Sequence, residues 1–164
     1  VILLIDGRAG SGKTTLAAKF GRVLGWPVIH LEDAYPGWDG LAAASDLVAR
    51  SMLNPSLPAH QRGFRRWDWY AADFAEWVQT PRSPSLIIEG CGALTRDNLE
   101  AAASLGDGQA WGVWVETPDA TRFDRAMARD GHFREYWDMW ARQEDEHIAE
   151  HSPRCLADWV IRNG

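Results

Sequence analysis

The chain has 164 residues, 46% of them hydrophobic, with a formal net charge of −6. That is the size and apolar content of one domain with a substantial core. The acidic balance argues against a general nucleic-acid or membrane-surface binder, which needs a basic footprint, and no apolar run is long enough to be a membrane span.

Val1-Ile2-Leu3-Leu4-Ile5 opens the chain as an apolar, partly β-branched run, the pattern of a buried parallel strand. Gly7-Arg8-Ala9-Gly10-Ser11-Gly12-Lys13-Thr14 follows and matches the phosphate-binding P-loop, G-x-x-x-x-G-K-[ST], at every fixed position. Leu16, Phe20, Val23 and Leu24 then recur at helical spacing, so a helix begins near Lys13. Strand, glycine-rich loop and helix are the context this motif requires. Glycines let successive N–H groups turn toward phosphate oxygens, and the helix N-terminus adds its positive dipole end. Lys13 is expected on the β- and γ-phosphates, with the Thr14 hydroxyl on Mg²⁺. Of 17 basic residues only Lys13 and Lys19 are lysine, so a compact ammonium stands where a phosphate loop demands one.

Pro27-Val28-Ile29-His30-Leu31 reads as a second parallel strand, reached by a right-handed crossover. Glu32 and Asp33 fall at its carboxyl end, where open parallel sheets bind ligands. A carboxylate there can take a proton from an acceptor hydroxyl or hold Mg²⁺ through water; the plainer reading is an acidic loop. Leu41 to Leu53 is expected to be helical and to end at Asn54-Pro55. Gly63-Phe64-Arg65-Arg66-Trp67-Asp68-Trp69-Tyr70 mixes aromatics with charge and is weighed as a pocket lining, with Arg65, Arg66 and Asp68 as polar contacts. From Trp69, the spacing of Ala72, Phe74, Trp77 and Val78 predicts another helix.

Leu86-Ile87-Ile88 is a third buried strand, with Glu89 at its end as the acid that reaches a Mg²⁺-bound water or an acceptor hydroxyl. Asp97 to Ser104 is a short helix and Ala110 to Val115 a fourth strand. Thr117-Pro118 opens a helix on which Arg122, Arg125 and Arg129 share one face, a row able to neutralise charge on a transferred phosphoryl group, or else a solvated ion-pair face. Glu135 to Glu150 is a long helix. Its His147-Ile148-Ala149-Glu150-His151 string fits a zinc pattern, but two histidines at this spacing are common on helices, and the zinc reading is rejected. Ala157 to Ile161 is a fifth strand. Cys91 and Cys155 make no disulfide framework, and a cytoplasmic location is expected.

With these motifs in order, the whole chain resembles the uridine kinase-like branch of the P-loop small-molecule kinases. The phosphate loop is Gly7 to Thr14. Leu31-Glu32-Asp33-Ala34-Tyr35 is similar to the strand-end motif whose Asp is the catalytic base, which the resemblance transfers to Asp33. Ile87-Ile88-Glu89-Gly90 is similar to the third-strand Glu-Gly, and Asp119-Ala120-Thr121-Arg122 with Arg125 and Arg129-Asp130 to the entry of the lid. The resemblance implies an α/β fold with a five-stranded parallel sheet of order 2-3-1-4-5 and helices on both faces. It implies one domain over residues 1–164, an acceptor-binding segment at about 33–80 and a short lid at about 125–140.

The expected chemistry is transfer of the γ-phosphoryl group of Mg²⁺·ATP to a hydroxyl of a small metabolite, a nucleoside among the candidates. Gly7, Ala9, Gly10, Ser11, Gly12, Lys13, Thr14, Thr15, Arg122 and Arg125 would hold the nucleotide. Thr14 and Glu89 would hold the metal, and Asp33, Tyr35, Arg65, Arg66, Asp68 and Glu89 the acceptor. Lys13, Asp33 and Arg129 would carry the transfer. A sugar-acid or antibiotic kinase on the same scaffold is the rival enzyme reading. A nucleotide-binding switch or accessory ATPase, which needs no acceptor, is the rival outside this class.

Overall fold

The computed structural model describes residues 1–164. Its centre is the strand β1 (Ile2–Gly7), buried at all six positions. The loop after it leads into α1 (Lys13–Leu24), which ends at Gly25 with φ 69°, a left-handed turn that glycine adopts at no steric cost. Next come β2 (Val28–His30), a 3₁₀ turn at Leu31–Asp33, and α2 (Leu41–Leu47), continued by a π-helical turn at Val48–Met52.

The chain then leaves the pattern expected of it. Residues Gly63–Asp68 and Asp73–Gln79 form an antiparallel hairpin, β3 and β4, with Phe64 opposite Val78 and Arg65 opposite Trp77. The helix predicted from Trp69 onward is absent. The apolar spacing of Phe74, Trp77 and Val78 mimics a helix period, but pairing with the preceding arginine-rich strand prevails. Asp68 caps the connecting turn by accepting the N–H groups of Tyr70 and Ala71 at 2.9 and 3.0 Å.

The remaining elements follow the sequence reading closely, apart from the short helix α6, which it did not contain. They are β5 (Leu86–Glu89), α3 (Arg96–Leu105), β6 (Ala110–Glu116), α4 (Asp119–Arg129), α5 (Phe133–His151), the short α6 (Pro153–Leu156) and β7 (Trp159–Arg162). Thr95 caps α3 by accepting the Asn98 N–H at 3.1 Å.

Five strands make a parallel sheet in the order β2-β5-β1-β6-β7. Counted among the parallel strands alone, that is the expected order 2-3-1-4-5. Alternation along β1 divides the core between two faces. Ile2 and Leu4 join a large cluster with Leu41, Val48, Met52, Ala102 and Trp140, whereas Leu3 and Ile5 pack with Ala17, Ile87, Val113 and Val115 beneath α1. The carboxyl ends of β1, β2 and β5 therefore converge at one edge, beside the P-loop. No helix is long and apolar enough to cross a membrane.

Candidate active site

The P-loop is held from behind by residues far away in the chain. Asp6, buried at the end of β1, accepts the N–H groups of Gly7, Gly92 and Leu94 at 2.7, 3.0 and 3.0 Å. Its second oxygen lies 2.8 Å from Nε2 of His147. That histidine of the H-x-x-E-H string is thus turned inward, onto the root of the phosphate loop. No group of three or more His, Cys, Asp or Glu side chains is arranged to hold a metal ion.

The loop carbonyls are drawn outward. Lys13 Nζ donates to the Arg8 carbonyl at 2.9 Å, Arg122 Nη1 to that of Ala9 at 3.0 Å, and Thr117 and Asn163 to that of Ser11 at 3.1 and 3.0 Å. The N–H groups of Gly10 and Gly12 have no backbone acceptor, and those of the first turn of α1 have none within the helix. Gly10 and Gly12 adopt φ 78° and 96°. A Cβ on Gly10 would also overlap the Arg122 carbonyl oxygen, so the curl of the loop requires glycine there. The outcome is a set of convergent amide donors at a helix N-terminus, an anion-binding arrangement.

Two acids complete this end. Glu89 is buried, and its Oε1 accepts the Thr14 hydroxyl at 3.1 Å and lies 2.6 Å from Nδ1 of His30. The bond to Glu89 raises the pKa of His30, against a smaller opposing effect of burial. Glu144 of α5 is buried beside Lys13 and accepts the Ala9 N–H at 2.6 Å. Burial raises its pKa, offset in part by the Ala9 N–H, Lys13 and Arg8. Burial works against the Lys13 ammonium, but the surrounding carboxylates of Glu89, Glu144 and Asp6 hold its pKa above the ordinary value. Cys91 is itself pushed by burial up to about 12, an inert thiol.

Above the loop lies a cavity of about 820 Å³. The loop and the start of α1 line it with Ala9, Gly10, Gly12, Lys13, Thr14 and Thr15, Arg125 reaches beside Gly12, and Glu89 and Arg129 line it too, all of them residues named from the sequence. Much of the remaining lining is aromatic: Tyr35, Trp38, Trp69, Tyr70, Phe133, Tyr136 and Trp140, with Glu32 and Glu135 also among the lining residues. Trp38 stacks on Tyr136 at 4.4 Å with 4° between the planes, and packs against Trp69 at 5.0 Å. The Trp69 indole N–H donates to the Glu32 carbonyl at 2.9 Å, which fastens the hairpin turn over the end of β2.

Several anticipated residues stand elsewhere. Gly7 and Ser11 are buried within the loop, away from the cavity lining. Asp33 and Glu32 are neighbours in one 3₁₀ turn and both are exposed, but Glu32 lines the cavity and Asp33 does not. Arg122 is buried against Ala9 and Asp119 rather than facing the cavity, because α4 turns one side of its arginine row inward. Arg65 and Arg66 are tied along the hairpin to the Ala75 carbonyl and to Glu76, and Asp68 caps the turn, so none of the three reaches the cavity. The residues that sequence reasoning missed are mostly aromatic. Phe133, Tyr136 and Trp140 follow one another at helical spacing on α5, a pattern equally suited to core.

No protein-family model and no curated protein matches the chain. Solved structures do. A possible uridine kinase from Bacillus stearothermophilus superposes with a TM-score of 0.64 at 20% identity, over 98% of this chain and 88% of that one. Shikimate kinase from Acinetobacter baumannii gives 0.55 at 15% identity, over 99% and 83%. Shikimate kinase from Bacteroides thetaiotaomicron gives 0.53 at 18%, over 99% and 86%. With its parallel sheet, its phosphate loop and these neighbours, the chain has the fold of the P-loop small-molecule kinases.

Proposed function

We propose that this protein transfers the γ-phosphoryl group of ATP to a hydroxyl of a small acceptor. The observation that carries the reading is the continuity of one cavity from the loop amides, Lys13 and Thr14 to an aromatic chamber bearing Glu32. A switch or accessory ATPase has no need of that chamber. The free amides and Lys13 hold the triphosphate, and Arg125 and Arg129 balance charge as it shifts toward the leaving group. The hard oxygens of Thr14 and Glu89, joined at 3.1 Å, suit Mg²⁺, an ion that binds one or two protein oxygens besides phosphates and water. When bound it would neutralise charge on the β- and γ-phosphates.

The acceptor oxygen forms the new bond to phosphorus, the bond from the γ-phosphorus to the ADP oxygen breaks, and the hydroxyl proton passes to a carboxylate. The role read for Asp33 moves to its neighbour Glu32, the strand-end acid that lines the cavity. The acceptor segment of about 33–80 contributes Tyr35, Trp38, Trp69 and Tyr70, and the lid region of about 125–140 contributes Arg129, Glu135 and Tyr136. Dependence on ATP and two free thiols fit a cytoplasmic setting. A screen of ATP consumption over nucleosides, sugars, sugar acids and amino-alcohols tests the activity. Consumption stimulated by none of them, with Mg²⁺ present, would return the reading to an acceptor-free ATPase or switch.

A further inference from the structure

Helix α5 turns two ionisable side chains inward, Glu144 at 4% and His147 at 6% exposure, one turn apart. Both end on the flank of the phosphate loop. His147 meets Asp6, which carries the Gly7 N–H. Glu144 touches the loop itself. Its Oε2 accepts the Ala9 N–H at 2.6 Å and the Cys91 thiol at 3.4 Å, and its Oε1 lies 3.6 Å from Arg8 Nη1. A carboxylate buried this deeply costs stability unless such bonds satisfy it. The helix is fixed at the same level: Gln143 donates to the Trp38 carbonyl at 2.6 Å and accepts the Leu41 N–H at 3.2 Å.

The peptide between Arg8 and Ala9 gives the Glu144 bond its consequence. In a planar trans peptide the C=O and the N–H point in opposite directions. Here the N–H edge is held by Glu144, and the C=O edge is the Arg8 carbonyl that accepts Lys13 Nζ at 2.9 Å. The next peptide is held in the same manner. The Ala9 carbonyl accepts Arg122 of α4 at 3.0 Å, and the Gly10 N–H at the opposite edge has no backbone acceptor. Two helices thus fix two successive peptide planes, one beside the lysine and the other carrying a free amide.

We infer that Glu144 is a positioning residue of the phosphate loop: by holding the Ala9 N–H it sets the plane from which the Arg8 carbonyl holds the Lys13 ammonium, and it keeps Ala9 out of the set of amides that take phosphate. This rests on the reading of the loop as a triphosphate site and is independent of the acceptor. Ala9, named from the sequence as a nucleotide contact, becomes an anchor of the loop instead.

The test compares Glu144→Ala, which removes the acceptor atom, with Glu144→Gln, which keeps an oxygen for the Ala9 N–H and drops the charge. Binding of Mg²⁺·ATP and of Mg²⁺·pyrophosphate, a probe with phosphates and no base, is measured by calorimetry on the folded full chain, with urea midpoints alongside. Glu144→Ala should weaken both ligands by the same factor, roughly tenfold, and Glu144→Gln should stay within about threefold of wild type. A role in stability alone would lower the urea midpoint and leave both affinities unchanged, and that result would overturn the inference. So would a Glu144→Gln protein that binds as weakly as Glu144→Ala, or tighter binding in Glu144→Ala. Should Glu144→Ala not fold, the wild-type Ala9 amide decides. Its proton should exchange slowly with and without Mg²⁺·ATP. Rapid exchange in the free protein, or a phosphorus coupling to the Ala9 amide in the complex, would overturn the inference. Loss of affinity in Glu144→Ala with no ATP consumed in the presence of any hydroxyl acceptor would sink the kinase reading and leave this one standing. Unchanged affinity in an active kinase would do the reverse.

Discussion

Lys13 is buried, and its ammonium already donates to a carbonyl of its own loop. It is thereby positioned before any phosphate arrives, and charge-assisted bonds from such a group are among the stronger ones. Lys13→Ala should abolish phosphoryl transfer and weaken ATP binding; unchanged turnover would remove the basis of the proposed reaction. At the end of β2 the contrast between Glu32 and Asp33 is equally sharp. Glu32→Gln should lower the single-turnover rate by roughly 10²–10⁴ with ATP affinity kept within a few-fold, or by less if little proton transfer has occurred in a loose transition state. Asp33→Asn should stay near normal, and the reverse order of the two variants would reinstate Asp33 as the base. His30 supplies a pH signature. Its folded pKa is raised above 6.5 by Glu89, so the stabilisation it confers is fully present below about pH 6.5 and is lost as pH rises through the folded value. Urea midpoints should therefore fall as pH rises through that window, and His30→Gln should flatten the fall. A wild-type midpoint that climbs there would contradict the assignment.

At the scale of elements, α4 is a buttress as much as a source of charge. Arg122 joins it to the Ala9 carbonyl and lies over Trp137 of α5 at 5.5 Å, so one side chain ties loop, α4 and α5 together. Arg122→Ala leaves a buried carbonyl unpaired and should cost about 1–3 kcal/mol in urea unfolding. Nucleotide affinity should fall with it, because the loop curl loses its outer anchor. Loss of affinity without loss of stability would instead make Arg122 a phosphate contact. The β3–β4 hairpin works differently. Its strands are half exposed, with Phe74 and Trp77 open to solvent, and its main service to the cavity is to carry Trp69 over Glu32.

For the molecule as a whole, the site is a junction of β1, α1, β2, β5, α4 and α5, so a ligand that bridges them should stabilise all of them together. At 100 times its dissociation constant, Mg²⁺·ATP should add about 2.7 kcal/mol, which in a domain of this size raises Tm by about 2–4 °C per kcal/mol. The shift should shrink with EDTA and vanish in Lys13→Ala. A Tm that does not respond to Mg²⁺·ATP would mean that the loop does not hold a triphosphate. The sheet sets this geometry. Parallel strands end their carboxyl termini together, and placing β5 between β1 and β2 brings Glu89 within reach of both Thr14 and His30.

Local periodicity determined the parallel strands and one strict motif the phosphate loop that carries Lys13 and Thr14, because each depends on residues a few positions apart; the order of the strands came with the family resemblance, on a topology with few alternatives. Tertiary structure decided the rest. Whether Glu32 or Asp33 faces the cavity depends on a single 3₁₀ turn, where one residue changes the direction of a side chain by about 120°. Whether Phe74, Trp77 and Val78 sit on a helix or a strand depended on a partner strand, since apolar spacing over so short a run suits both. Whether Arg122 meets phosphate or the Ala9 carbonyl, and whether His147 meets solvent or Asp6, depended on which helix packs behind the loop. Asp6 and His147 are 141 positions apart, and only packing brings such a pair together.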